Sequence, residues 1–358
     1  MNRQIIIRAM AAIALTLAVS INAEAQSILQ RARNAVQATT DGNTTETNNA
    51  TGQAAVTAPS AGQQSGGGVV MPAATKTPQQ PWAVGETSSS TAPATAVQAT
   101  YADGVLTIKG AGKMQDFTIT MHNDNRPWAA YAKEITTAIV EEGVINLAEF
   151  AFYGCENLTS VSLPNTLTNI ASAAFFGCRS LASITLPKNL DVFSTGTVPD
   201  GKGKVNMVGL FGQCTALKEI KVADGSAKYK SVDGVLYVNF STRWRLAAYP
   251  AGRTNATFNV PDQTPVIMVG AFSYCTALKE ITMPQSLGEI QTSAFWGCTA
   301  LEKITLLQPT GAVKIGVKVF ENVDMTKLKI HVPNKILENY TTRADSDWRQ
   351  WASQIVGQ

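Results

Sequence analysis

Ala271-Phe272-Ser273-Tyr274-Cys275 and Ala294-Phe295-Trp296-Gly297-Cys298 are one five-residue motif written twice. Between the two Ala-Phe pairs lie Leu278, Ile281, Met283, Pro284, Leu287 and Ile290, and the same ladder occurs upstream as Leu158, Val161, Leu163, Pro164, Leu167 and Ile170. The step from Phe272 to Phe295 equals the step from Phe152 to Phe175. A fixed period of about 23 residues marks stacked units, each of which buries its apolar side only against its neighbours. It predicts a solenoid of short parallel strands joined by short helical or irregular turns.

The period also assigns faces. Alternate strand residues point to opposite sides. The apolar residues of Ile-x-Leu-Pro therefore face inward, and Ser160 and Ser162, Ser183 and Thr185, Glu219 and Lys221, Glu280 and Thr282, Lys303 and Thr305, and Lys327 and Lys329 face outward. Stacked at about 4.8 Å per rung, such pairs make a sheet about 30 Å long that grades from hydroxyl-rich to basic. Lys221, Lys303, Thr305, Lys327 and Lys329 are its candidate ligand contacts; a plain solvated sheet is the alternative.

A second column follows each repeat Phe: Tyr153, Phe176, Gly212, Ser273, Trp296 and Glu321. A core position does not accept Glu, Ser and Gly freely, which places this column at least half at the surface. Tyr153, Phe176 and Trp296 become candidate contact anchors of the kind enriched in interfaces. Packing against a neighbouring repeat is the bland alternative for the same rings.

The five cysteines, Cys155, Cys178, Cys214, Cys275 and Cys298, each stand three residues after a repeat Phe. The repeat sets that spacing, and a small polarizable side chain suits a buried column, so buried free thiols are expected. Neighbouring rungs about 4.8 Å apart also fall within disulfide reach, which leaves a Cys155–Cys178 bridge open.

Taken from its start, the chain opens like an export signal in residues 1–25: Arg3 and Arg8, an apolar run from Ala9 to Ile21, and Ala23-Glu24-Ala25 before Gln26. Residues 26–97 are rich in Ser, Thr, Ala, Gln and Gly and predict a disordered tether. Residues 98–131 are strand-like and aromatic but out of period, as a β-rich N-terminal cap would be. The repeat domain spans 132–333, its first unit being Ala132 to Cys155. The step from Phe175 to Phe211 is longer than the period, and the excess lies in a predicted surface loop, Ser194 to Asn206. The step from Phe211 to Phe272 is longer still, and residues 225–261, with their Asp233-Gly234 turn, read as a β-hairpin island projecting from the solenoid edge. Residues 334–358 carry Ile336, Leu337, Tyr340, Trp348, Trp351 and Ile355 at helical spacings and predict a helical C-terminal cap.

The pattern Ala-Phe-x-Gly-Cys-x-x-Leu-x-x-Ile-x-Leu-Pro resembles the BspA-like leucine-rich repeats of bacterial surface proteins. The resemblance extends from about Tyr101 to Ile355 and includes the Leu106–Met114 entry and the Val232–Tyr237 stretch. Leu210-Phe211-Gly212-Gln213-Cys214 and Val319-Phe320-Glu321-Asn322-Val323 depart from it. What the resemblance implies is an exported adhesion or binding protein acting on host matrix protein, other cells or glycan.

Chemistry is not indicated. The sequence has no Gly-x-Ser-x-Gly elbow, His-Glu-x-x-His, phosphate loop or calcium loop. His122 and His331 are the only histidines and lie far apart. Glu141-Glu142 and Asp345/Asp347 read as structural pairs, and Gly201-Lys202-Gly203-Lys204 as a solvated basic turn. No cofactor or metal is expected. A charged fraction of 15% and a net charge of +3 are too even for a nucleic-acid partner, and no run after the signal is long and apolar enough to span a bilayer. The reading is a non-enzymatic binding protein with a protein or glycan partner, located at the cell surface, outside the cell or in the periplasm. A structural or self-assembling envelope component is the alternative.

Overall fold

The Ile-x-Leu-Pro segments become strands because their apolar residues alternate, and they stop at a proline that has no N–H for the next ladder bond. The computed structural model describes residues 81–86, 96–120, 123–199, 205–343 and 347–358, all within one unit, Lys76–Gln358. The predicted signal, most of the predicted tether, His122, Gly201–Lys204 and Asp345 lie outside the described residues. The strands closed by such a proline are Ser160–Ser162, Ser183–Leu186 and Glu280–Met283, and Lys303–Leu306 is a further rung that runs on into Leu307 instead. The proline carbonyl then accepts the amide of the Leu three residues on, at 3.2 Å for Leu167 and Leu190 and 3.1 Å for Leu287, which folds the chain into a turn.

That turn leads to a two-residue strand on a second side of the coil, as in Asn169–Ile170 and Glu289–Ile290. The third side carries the repeat Phe. There the Phe amide donates to the carbonyl of the residue before the next turn's Phe: Phe152 to Ala174 at 2.8 Å, Phe272 to Ala294 at 2.8 Å and Phe295 to Val319 at 3.0 Å. The backbone bends sharply here because, in most turns, the residues two before and two after the Phe are left-handed. Gly154, Gly177 and Gly297 fill the later position as expected, but Gln213, Tyr274 and Asn322 hold it at φ of 59°, 64° and 60°.

The core is a stack of rings and thiols. Phe152, Phe175 and Phe211 follow one another at 5.5 and 5.9 Å, and Tyr249, Phe272, Phe295 and Phe320 at 5.2, 5.2 and 5.9 Å. All five cysteines are buried free thiols. Each later thiol donates to the carbonyl of the aromatic one turn back: Cys178 to Phe152 at 3.2 Å, Cys214 to Phe175 at 3.1 Å, Cys298 to Phe272 at 3.0 Å, and Cys275 to Tyr249 at 3.9 Å. Burial pushes the Cys155 and Cys214 thiols up to about 12.

Tyr249 is the unexpected member. The segment read as a projecting island is built into the coil. Tyr229–Val232, Val235–Phe240 and Arg243–Ala248 form an antiparallel meander, and Arg243–Ala248 pairs in parallel with Val266–Ile267. Thr257–Asn259 already pairs in parallel with Glu280–Met283. The coil has therefore resumed its period by Tyr249, which stands one full period before Phe272. Val235–Phe240 lies between two cores: Leu236 and Val238 join that of the earlier turns, Val235 and Tyr237 that of the later ones.

Three further differences follow from packing. The predicted loop at Ser194–Asn206 contains an antiparallel hairpin, Gly196–Pro199 with Val205–Val208. The predicted tether runs too far, because Trp82–Ala83 pairs with Gln98–Ala102 and Val84 is fully buried. The apolar run Trp82-Ala83-Val84 is too short to stand out from its surroundings, yet it docks on a strand that itself pairs with Val105–Lys109, and that strand joins Thr137–Val140 in parallel. At the other end, short helical turns at Asn334–Ile336, Leu337–Thr341 and Asp347–Gln354 give way to a strand, Ile355–Gly357, alongside Lys329–Val332.

Candidate binding surface

The later turns assemble one continuous parallel ladder, from Thr257–Asn259 through Glu280–Met283, Lys303–Leu306 and Lys329–Val332 to Ile355–Gly357. Its register aligns Ile281, Ile304, Ile330 and Ile355 inward. Outward it aligns Thr257, Glu280, Lys303 and Lys329 in one column, and Asn259, Thr282, Thr305 and His331 in the next. Lys303 and Thr305 are half-buried by these neighbours, and Lys329 is exposed. Lys303 faces Glu280 at 3.9 Å. Burial first, and then the Lys303 ammonium, lower the His331 pKa below its ordinary value.

Lys327 does not belong to this face. The step from Lys303 to Lys329 is longer than the period, so the outward pair on that strand is Lys329 and His331. Lys327 sits in the preceding turn, where its ammonium meets Asp324 at 2.9 Å. Hydrogen bonds from Thr326 and then Lys327 pull the Asp324 carboxyl down to about 2.

The earlier turns make a separate, shorter face. Thr137 pairs with Ser160 and Ile139 with Ser162, while Glu219–Val222 pairs with Ser183–Leu186 so that Lys221 adjoins Thr185. Lys221 is exposed and 3.1 Å from Glu219. The outer surface is therefore of mixed charge, not basic, wherever a carboxylate stands beside each lysine.

The column after the repeat Phe divides. Phe176 is only 7% exposed and packs with Phe150, Ala173, Val198 and Val208, the last two from the hairpin. It is thus a structural residue and not an exposed anchor. Gly212 has no side chain because a Cβ there would lie 2.8 Å from the Phe176 ring. Tyr153 stacks on Phe176 at 5.4 Å and is half-buried. The buried Arg126 holds the Tyr153 segment, donating to its carbonyl at 2.7 Å while paired with Asp124 at 2.6 Å. Trp296 is half-buried and stacked on Tyr274 at 6.1 Å. Tyr274 in turn accepts from Gln213 at 3.1 Å, and Gln213 accepts from Arg179 at 3.1 Å. The two non-glycine residues in left-handed conformation thus bridge the earlier and later turns. Sequence reading overlooks them, although the absence of glycine from a glycine slot is a visible signal.

The structure brings Lys303, Thr305 and Lys329 together on one ladder and Tyr153 and Phe176 together on the Phe side. Lys221 stays on the earlier face, while Trp296, from a later turn of the Phe side, packs with Tyr153 against the Phe176 cluster. Among the described residues no group of three His, Cys, Asp or Glu side chains is arranged to hold a metal ion, and no helix is long and apolar enough to cross a membrane.

Parallel rungs, an inward Leu/Ile/Phe column and proline-ended strands define a leucine-rich-repeat solenoid. More narrowly, residues 129–198 and 252–344 match, in six copies, the family model of the BspA type leucine-rich repeat region. The unmatched stretch between them holds the second strand of the hairpin and the inserted meander. A leucine-rich repeat protein from Eubacterium ventriosum is similar at 24% identity, over 67% of this chain and 71% of that one, with a TM-score of 0.42. The pneumococcal vaccine antigen PcpA is similar at 16% identity, over 67% and 80%, with a TM-score of 0.43. A leucine-rich cell surface protein from Faecalibacterium prausnitzii is similar at 18% identity, over 73% and 92%, with a TM-score of 0.26. No curated protein matches the chain.

Proposed function

We propose that this is an exported surface protein that holds a protein or glycan partner, as an adhesin does, and carries out no reaction of its own. The observation that supports this reading is the outward ladder of the later turns. The three middle strands of its five align Glu280, Lys303 and Lys329 beside Thr282, Thr305 and His331 on a rigid sheet. A solenoid presents such columns as an extended surface, and binding there sums many modest polar contacts around a few aromatic anchors. Trp296 and Tyr153 are the half-exposed rings available for that role.

The test is capture of partners from host matrix and cell-surface extracts by the purified chain, followed by affinity measurement with the captured partner. Trp296→Ala combined with Lys303→Glu is expected to weaken binding by about tenfold or more, the scale of one anchor residue. Wild-type affinity in that variant, with an unchanged melting temperature, would sink the ladder reading. Sedimentation at rising concentration separates the alternative role: self-association without a captured partner would support an assembling envelope component instead.

A further inference from the structure

The outer end of the inserted meander gathers rings and cations at one exposed tip. Val235–Val238 and Leu246–Ala248 are buried, but the last cross-strand pairs, Asn239 with Trp244 and Phe240 with Arg243, emerge from the body around an exposed Ser241-Thr242 turn. Phe240 is 53% exposed. The Arg245 guanidinium lies 4.0 Å from the centre of the Phe240 ring, and the Lys230 ammonium 4.2 Å from that of Trp244. Because strand residues alternate, these pairs lie on opposite faces of the ribbon. Each face therefore carries a ring with a cation over it, and Arg243 adds a third charge at the tip.

The charges here are unbalanced. On the outer sheets Lys221 has Glu219 and Lys303 has Glu280, and Lys228 beside the meander has Asp191 at 3.6 Å. Lys230, Arg243 and Arg245 have no carboxylate partner among the described residues. Three like charges near the exposed Phe240 ring and the half-buried Trp244 ring, which rests on the later core, gain little for folding, since neighbouring cations repel and a cation–ring contact at the surface is worth only about 0.5–1 kcal/mol.

We propose that this ribbon end binds an anionic polysaccharide, a linear chain carrying sulfate or carboxylate groups. The cations meet the anionic groups, and the rings offer flat apolar surfaces to the C–H faces of the sugars. With one ring and cation on each face, a linear chain passing over the tip engages both. A neutral glycan leaves the three cations without counter-charge. An anionic bilayer suits the tip less well: Phe240 is the one ring at the extremity, set among Ser241, Thr242 and Arg243, so insertion buries little apolar area. This site is distinct from the outward ladder and stands or falls separately from it.

The experiment measures binding of the full chain to immobilised heparin, with neutral dextran, poly-glutamate and phosphatidylglycerol vesicles as comparisons. Binding to heparin that weakens with added salt is expected, with no binding to dextran. The double substitution Arg243→Gln and Arg245→Gln, and separately Phe240→Ala, are each expected to weaken heparin binding by about tenfold. These residues lie at an exposed tip, so the melting temperature should hold, and Trp244→Phe, which keeps a ring, should restore most of what Trp244→Leu loses. Lys303→Glu should leave heparin binding at the wild-type level, which separates this site from the ladder. Wild-type heparin affinity in the tip variants overturns the proposal. So does binding to vesicles but not to heparin, or binding to poly-glutamate that Phe240→Ala leaves unchanged.

Discussion

The turns before the inserted meander and those after it use the same repeat but differ in outline. The earlier stack, Phe152, Phe175 and Phe211, is interrupted on its outside: a hairpin leans on Phe176, and the strand Glu219–Val222 has a partner only in Ser183–Leu186. The later stack, Tyr249, Phe272, Phe295 and Phe320, runs beneath an unbroken five-stranded ladder. The rings repeat in both, so the period governs the core while insertions govern the surface. That division is why an insert can separate the stacks without exposing either. The strand Val235–Phe240 gives one set of alternate side chains to each core and closes both.

Removing a ring where the stack is continuous should have the largest effect. Phe295 is fully buried between Phe272 and Phe320. Phe295→Ala is expected to cost about 3–5 kcal/mol, the sum of lost burial and a cavity that the two flanking rings cannot close. Phe211 is slightly exposed and lies at the end of its stack, against Phe175 and Phe193. Phe211→Ala should fall at the low end of that range, because the site can relax. Denaturant melts of both variants compare the stacks directly, and equal losses would remove the distinction drawn between them.

How much of this is legible in the sequence depends on how local the cause is. Phe152, Phe175, Phe272 and Phe295, the thiols behind them and the inward Ile-x-Leu pairs are readable because each is repeated and each buries in place. Tyr249 escapes notice because it is not a Phe and Pro250 follows it where three other turns have Tyr, Phe or Trp before Gly-Cys, although Phe258, Val260 and Ile267 stand one period before Ile281, Met283 and Ile290. Lys327 falls short of the sheet because its unit exceeds the period, so that the residue paired with Lys303 is Lys329, a register that spacing alone does not supply. The burial of Phe176 is not readable at all, because the hairpin that covers it is brought there by tertiary packing. The paired rings and cations of the meander likewise depend on a cross-strand register that no spacing rule supplies.

The thiols make a smaller, pH-controlled contrast. Burial raises Cys155 and Cys214 from an ordinary 9.0 to about 12, and it raises Tyr229 and Tyr237 from 10.0 to about 12. A pKa raised in the folded state means that the folded chain keeps protons the unfolded chain releases. Stability from these groups is therefore complete below pH 9 and is lost as the pH climbs toward 12. Denaturant midpoints should hold from pH 7 to 8.5 and fall steadily above pH 9, while a thiol reagent at pH 8 labels the unfolded chain and spares the folded one. Cys214→Ala should flatten the alkaline slope. Rapid labelling of the native protein at pH 8 would contradict the closed core in both stacks.

The smallest expected effects come from the left-handed residues that follow the Phe, and they resolve the two stacks most finely. Gly154 has φ of 66° with open space where a Cβ would be, whereas Gly297 has φ of 72° with the Tyr274 ring 3.1 Å from that point. Gly154→Ala should cost only the conformational term, about 1–2 kcal/mol. Gly297→Ala adds a push on Tyr274, which carries Trp296 on its face and the Gln213 amide on its hydroxyl. Its loss should be measurably larger, and it should disturb tryptophan fluorescence, which Gly154→Ala leaves alone. Tyr274→Gly reverses the logic: it relieves a strained φ of 64° but deletes the bridge to Gln213 and the surface under Trp296. If Tyr274→Gly stabilises the chain outright, strain outweighs the bridge, and the link between the stacks rests on the inserted strand alone.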